Sequence, residues 1–133
     1  MKYTFLVFLF VTLINSNVYT QEKISIGLLV PLTGKHANIG KSIIKSTRLA
    51  VNQIDNKIIE IIPRDTAADA EKTLDAANEL KRLGVKVVIG PVFNQSNKHL
   101  GQLKDIIFLS LTNKSKKISD NVINTGINST SQF

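Results

Sequence analysis

The 133-residue chain carries 17 lysines and arginines against 10 aspartates and glutamates, a net charge of +7, and no cysteine. The missing thiols exclude disulfides, thiol catalysis, cysteine-ligated zinc and a lipid anchor on cysteine. The positive excess is spread along the chain; only Lys114, Lys116 and Lys117 cluster, with no aromatic residue among them, so a nucleic-acid partner is not expected.

The chain opens with Lys2, an apolar run over residues 3–14, polar Asn15, Ser16 and Asn17, and then Val18-Tyr19-Thr20. That order is the order of a secretion signal, and the apolar run is too short to span a bilayer. Residues 1–20 are therefore read as a signal peptide and residues 21–133 as the exported mature part. Lys2 is the one charge in residues 1–20, so its removal takes the net charge from +7 to +6.

The first mature element is a strand. Ile24, Ile26, Leu28, Leu29 and Val30 form a nearly continuous apolar run, as a strand covered on both faces requires, and Pro31 and Gly34 stop it. Ile43, Ile44, Thr47, Ala50, Val51 and Ile54 recur at helical spacing and predict a helix over residues 40–54. Residues 57–62 read as a β-branched second strand closed by Pro63. Thr66 and Asp69 have the spacing of a capping pair. The second helix then runs to Leu83, with Ala70, Leu74, Ala77 and Leu80 on its buried face and Gly84 placed to end it. Residues 85–89 form a third strand, and Gly90-Pro91 turns out of it. A short helix over residues 95–104, a fourth strand over residues 106–111 and the start of a fifth at residues 122–124 follow. Residues 128–133 read as a turn and the start of another helix. Strand and helix alternate throughout, the signature of a doubly wound parallel α/β sheet with right-handed crossovers. Ligands bind such sheets at the carboxyl ends of the strands.

Three motifs invite a chemical reading. Gly34 to Ser42 lies between a strand and a helix, where a phosphate loop belongs, but five residues separate Gly34 from Gly40-Lys41-Ser42 where that loop needs four. His36 and His99 are the two histidines, and no serine, histidine and acid set accompanies them; both read as loop or surface residues. Asp65 ends the second strand and could serve as a base or cap the second helix, the capping role being the commoner one for a carboxylate there. The sequons at Asn94, Asn113 and Asn128 matter only in a eukaryotic secretory pathway.

A row of small polar residues remains at the strand ends: Thr33 after the first strand, Asn94, Gln95 and Ser96 after the third, and Ser110, Thr112 and Asn113 at the fourth. Beside exposed N–H groups at helix starts they suit a small zwitterionic or carboxylate ligand. The same residues are common turn formers and caps, and spacing leaves both readings open.

Taken together the motifs resemble the type I periplasmic-binding fold of the leucine-binding-protein-like solute receptors. The matching segments are IGLLVPLTG (residues 26–34), LAVNQID (49–55), PRDTAADAEKTLDAANEL (63–80), GVKVVIGPVFNQS (84–96), FLSLTN (108–113) and TGINSTSQ (125–132). The resemblance implies the amino-terminal part of lobe one of a two-lobed protein, without the lobe-two groups that would close on a ligand. In the family's amino-acid receptors the loops after the third and fourth strands hold the ligand's carboxylate and ammonium. Carried over by position, these are Asn94, Gln95 and Ser96, then Thr112 and Asn113, with the Ser96 hydroxyl donating to the carboxylate. The implied function is a non-enzymatic solute-binding component of an ABC importer for amino acids or a similar small polar ligand. Its partners would be that ligand and the transporter's membrane subunits, with no cofactor, metal or catalytic residue. The alternative is an envelope interaction protein resembling the penicillin-binding-protein activators, whose partner is a peptidoglycan synthase; PRDT, IGPVF and FLSLTN look closer to that branch.

Overall fold

The computed structural model describes residues 22–54, 58–113 and 119–126. Helical segments separate the first four strands: β1 (Ile24–Val30), α1 (Ala37–Ile54), β2 (Ile59–Asp65), α2 (Ala70–Arg82), β3 (Val87–Ile89), 3-10 turns at Asn94–Asn97 and Leu100–Gln102, and β4 (Ile107–Ser110), followed by β5 (Val122–Asn124). The strands form one sheet of order β2-β1-β3-β4-β5, and every neighbouring pair is parallel. The doubly wound α/β sheet expected from the sequence is the architecture observed.

Strand alternation divides the apolar residues between two layers. Leu29, Val88, Phe108 and Val122 join Ala76, Ala77 and Leu80 of α2, and Val85, Leu100, Leu103 and Ile106, in the main core. On the opposite face Leu28 and Val30 are fully buried, and α1 lies against β1 and β2. That second layer stops short of the far strands. Ile107 of β4 and Ile123 of β5 are 47% and 48% exposed.

Local signals placed several boundaries well. α2 ends in a Schellman arrangement, with Gly84 N–H donating to Lys81 O at 2.9 Å and Val85 N–H to Leu80 O at 3.1 Å. Gly84 takes φ +80°, a conformation cheap for glycine alone. The third and fourth strands were predicted at residues 85–89 and 106–111, and β3 and β4 keep shorter cores within those spans.

Other boundaries moved for physical reasons. α1 begins at Ala37 rather than residue 40, because Ala37 N–H to Gly34 O and Ile39 N–H to His36 O build its opening turn. β2 runs through Pro63 to Asp65 instead of stopping before it. β2 is the edge strand, so the N–H that proline lacks would have faced away from the ladder; Lys57, read as its start, lies outside the described residues. Asp69, not Thr66, caps α2, accepting Lys72 N–H at 2.9 Å. The Thr66 hydroxyl instead accepts Ala68 N–H at 3.3 Å. The helix predicted over residues 95–104 is the two 3-10 turns, since a stretch rich in Asn and Ser finds local side-chain partners outside a helix. The reading of residues 128–133 falls outside the described residues.

Candidate functional site

The carboxyl ends of β1, β3 and β4 converge on one rim of the sheet. Two hydrogen bonds fasten the loops after β3 and β4 together: Leu111 N–H to Pro91 O at 2.9 Å and Asn97 Nδ2 to Ser110 Oγ at 2.9 Å. The Ser110 hydroxyl in turn donates to Pro91 O at 3.4 Å. Thr125 anchors the end of β5 on the same spot, its N–H and Oγ1 both donating to Ser110 O. Loops that would otherwise move independently are thus held as one ledge.

The five residues expected to touch ligand take different positions on that ledge. Ser96 is 1% exposed, and its hydroxyl is buried without a hydrogen-bond partner among the described residues. Thr112 is also buried, while Asn113 is exposed at the end of the β4 loop. Asn94 is half-buried at the start of the first 3-10 turn. Gln95 points toward β2's loop, with Nε2 donating to Ala68 O at 3.2 Å.

Asn97 escaped the sequence reading, which placed it inside a helix. It is fully buried, and its Oδ1, like the Ser96 hydroxyl, has no partner among the described residues. An unpaired buried polar atom costs about 1–3 kcal/mol, and two lie here in consecutive residues, a hydroxyl with a proton to donate and an amide oxygen able to accept. Proximity to Ser96 in an Asn-Gln-Ser-Asn run was the one available signal.

Asp65 sits at the end of β2, and its role differs from both expectations. It neither caps α2 nor stands free as a base. Its Oδ1 accepts Leu32 N–H at 2.7 Å, Thr33 N–H at 3.3 Å and Ala67 N–H at 2.8 Å, while Oδ2 accepts the Thr33 hydroxyl at 2.6 Å. Partial burial pushes the carboxyl up, but the Thr33 hydroxyl and the three backbone N–H groups outweigh it and hold the group below its usual range. Asp65 ties the loop after β1 to the loop after β2. His36 and Phe93 join the loop after β1 to the loop after β3 through rings 4.6 Å apart and tilted by 50°. His99 Nε2 lies 3.0 Å from Glu71 Oε1 in the first turn of α2, but out of line for a hydrogen bond.

The segment from Gly34 does not form a phosphate loop, because residues 37–42 are already turns of α1. No group of three or more His, Asp or Glu side chains among the described residues could hold a metal. An open cavity of about 570 Å³ lies at the other end of the sheet, lined by Lys23, Ile24, Leu83 and Lys86 among others, and includes none of the rim residues.

A family model described as periplasmic binding protein matches residues 23–133. The chain belongs to the periplasmic binding protein family. Membership implies a periplasmic or extracytoplasmic location and a solute-binding fold. Among solved structures, a Rhodopseudomonas palustris ABC-transporter solute-binding protein in complex with 4-hydroxybenzoate aligns with TM-score 0.69 at 18% identity, over 76% of this chain and 31% of that one. The C-domain of Haemophilus influenzae LpoA, a regulator of PBP1A, aligns with TM-score 0.63 at 26% identity, over 77% of this chain and 32% of that one. A second R. palustris solute-binding protein, in complex with 3,4-dihydroxybenzoic acid, aligns with TM-score 0.62 at 26% identity, over 69% and 28%. The chain spans about a third of the length of these proteins. Among curated proteins, none matches the sequence.

Proposed function

We propose that this chain supplies the amino-terminal part of lobe one of an exported, non-enzymatic solute receptor serving an ABC importer, with residues 1–20 as its secretion signal and residues 21–133 as the lobe. The ligand is a small molecule bearing a carboxylate, an amino acid or a similar polar acid. The observation that carries this reading is the pair of unpartnered buried groups, Ser96 Oγ and Asn97 Oδ1, at the carboxyl end of β3. Ser96 donates its hydroxyl to the carboxylate, and Asn97 Oδ1 accepts from a donor on the ligand. Asn94, Gln95, Thr112 and Asn113 contribute side-chain or backbone groups around it. Capture follows the hinged closure of two lobes, and the closed form docks on the transporter's membrane subunits.

The likeness to LpoA favours a second reading, an envelope protein that stimulates a peptidoglycan synthase without a small ligand. Calorimetry against amino acids and hydroxybenzoates, beside a pull-down with a purified synthase, separates the two. Heat on a small acid that is lost in Ser96→Ala supports the receptor; silence across the panel with retention of the synthase supports the second reading.

A further inference from the structure

α1 is charged on one side only. Its 18 residues contain Lys41, Lys45 and Arg48 and not one acid. Spacings of three and four place these cations on a single helical face, spanning about 10 Å along the axis. All three are exposed, and none joins an ion pair among the described residues. On the opposite side of the sheet α2 is balanced, with Lys72, Lys81 and Arg82 set against Glu71, Asp75 and Glu79. The ion pairs Arg64–Glu79 and Lys81–Asp105 each involve an α2 side chain. Among the described residues α1 therefore presents three cations, and no acid of its own, on one side of the sheet. Like charges one turn apart repel, a cost that no ion pair among the described residues offsets.

Shape agrees with charge. A shallow open groove of about 370 Å³ is lined by Lys41, Ile44, Lys45 and Arg48. Leu49, 61% exposed, follows Lys45 by one turn of the same helix. We propose that this face of α1 docks on an anionic phospholipid surface, with Lys41, Lys45 and Arg48 at the phosphates and Leu49 entering the headgroup boundary. Cations flanking an exposed leucine are the composition that interfacial helices use. Charge complementarity selects the partner, and docking through the side of the sheet leaves the carboxyl-end rim open.

The test is co-sedimentation of the full chain with phosphatidylcholine vesicles, with and without one third phosphatidylglycerol, at low salt. Binding to neutral vesicles measures the background from the apolar residues 3–14; the readout is the excess on anionic vesicles. The excess should weaken as salt rises and fall on the order of 100-fold in K41Q/K45Q/R48Q. K72Q/K86Q/K98Q removes the same charge from elsewhere and should keep the excess within roughly twofold. Leu49→Asn should lower it severalfold without changing its salt dependence. Equal losses in the two triple variants would overturn the proposal in favour of undirected net charge. No excess on anionic vesicles, or retention on an acidic protein in its place, would also overturn it.

Discussion

Asp65 and Thr33 are joined across the first crossover, Thr33 Oγ1 donating to Asp65 Oδ2 at 2.6 Å, and this pair aligns the loops after β1 and β2. With Leu32 and Ala67 N–H groups on the same carboxylate, one side chain satisfies donors 33 and 32 residues before it and two residues after it in sequence. Replacing Asp65 by Ala should lower unfolding free energy by about 1–3 kcal/mol, with Asp65→Asn losing less because one acceptor oxygen survives. Urea denaturation of the three proteins checks the order.

The same carboxylate sets a pH dependence. Its hydrogen bonds hold the folded carboxyl below its ordinary range, so the unfolded chain holds the proton more tightly. The contribution is present in full above the unfolded value and is lost as pH falls through the lower folded value. Stability of the wild type should therefore drop on acidification below about pH 4, and Asp65→Asn should drop less steeply. Parallel slopes in the two proteins would assign the acid sensitivity elsewhere.

Asn121 predicts a larger loss. Its Nδ2 lies within hydrogen-bond distance of Leu100 O, Leu103 O and Ile106 O, at 3.3, 2.9 and 3.2 Å, and it is 8% exposed. Asn121→Ala strips these buried carbonyls of a shared donor, and should cost about 2–3 kcal/mol. Asn121→Asp should be no better, since a carboxylate cannot donate. Thermal melts of both variants test this.

Gly40 is a helical position where any side chain should fail. A Cβ there would collide with Pro31 O, and neither backbone segment can yield without moving α1 against β1. Gly40→Ala should cost about 1–3 kcal/mol or more, although alanine elsewhere in a helix is stabilising. A stability equal to or above the wild type would contradict the packing described.

The uncovered stripe at Ile107 and Ile123 should bind a hydrophobic dye. Replacing both with Lys should lower dye fluorescence and aggregation while changing stability by about 0.5 kcal/mol or less, as surface substitutions do. Unchanged dye binding would move the apolar surface elsewhere.

Much of the fold was legible because its signals are local. The apolar run of β1, the Gly84 stop of α2 and the short β5 each declare themselves within a few residues. Pro63 misled because its tolerance depends on β2 being an edge strand, a property of strand order and not of the segment. Asp65 and Asn121 could not be assigned from sequence, since their partners are brought near only by the crossovers. At the candidate site, Ser96 and Thr112 were visible as polar residues at strand ends. Asn97 was not, because helix and 3-10 turn bury different faces of the same residues.

The most direct test of the strand-end site is a titration of the chain's amide NMR spectrum with amino acids and hydroxybenzoates, which detects binding too weak for calorimetry. The account predicts that at least one such acid shifts amides of residues 94–97 and 110–113, and that Ser96→Ala abolishes the shifts. Shifts confined to other segments, or none with any acid in the panel, would contradict it.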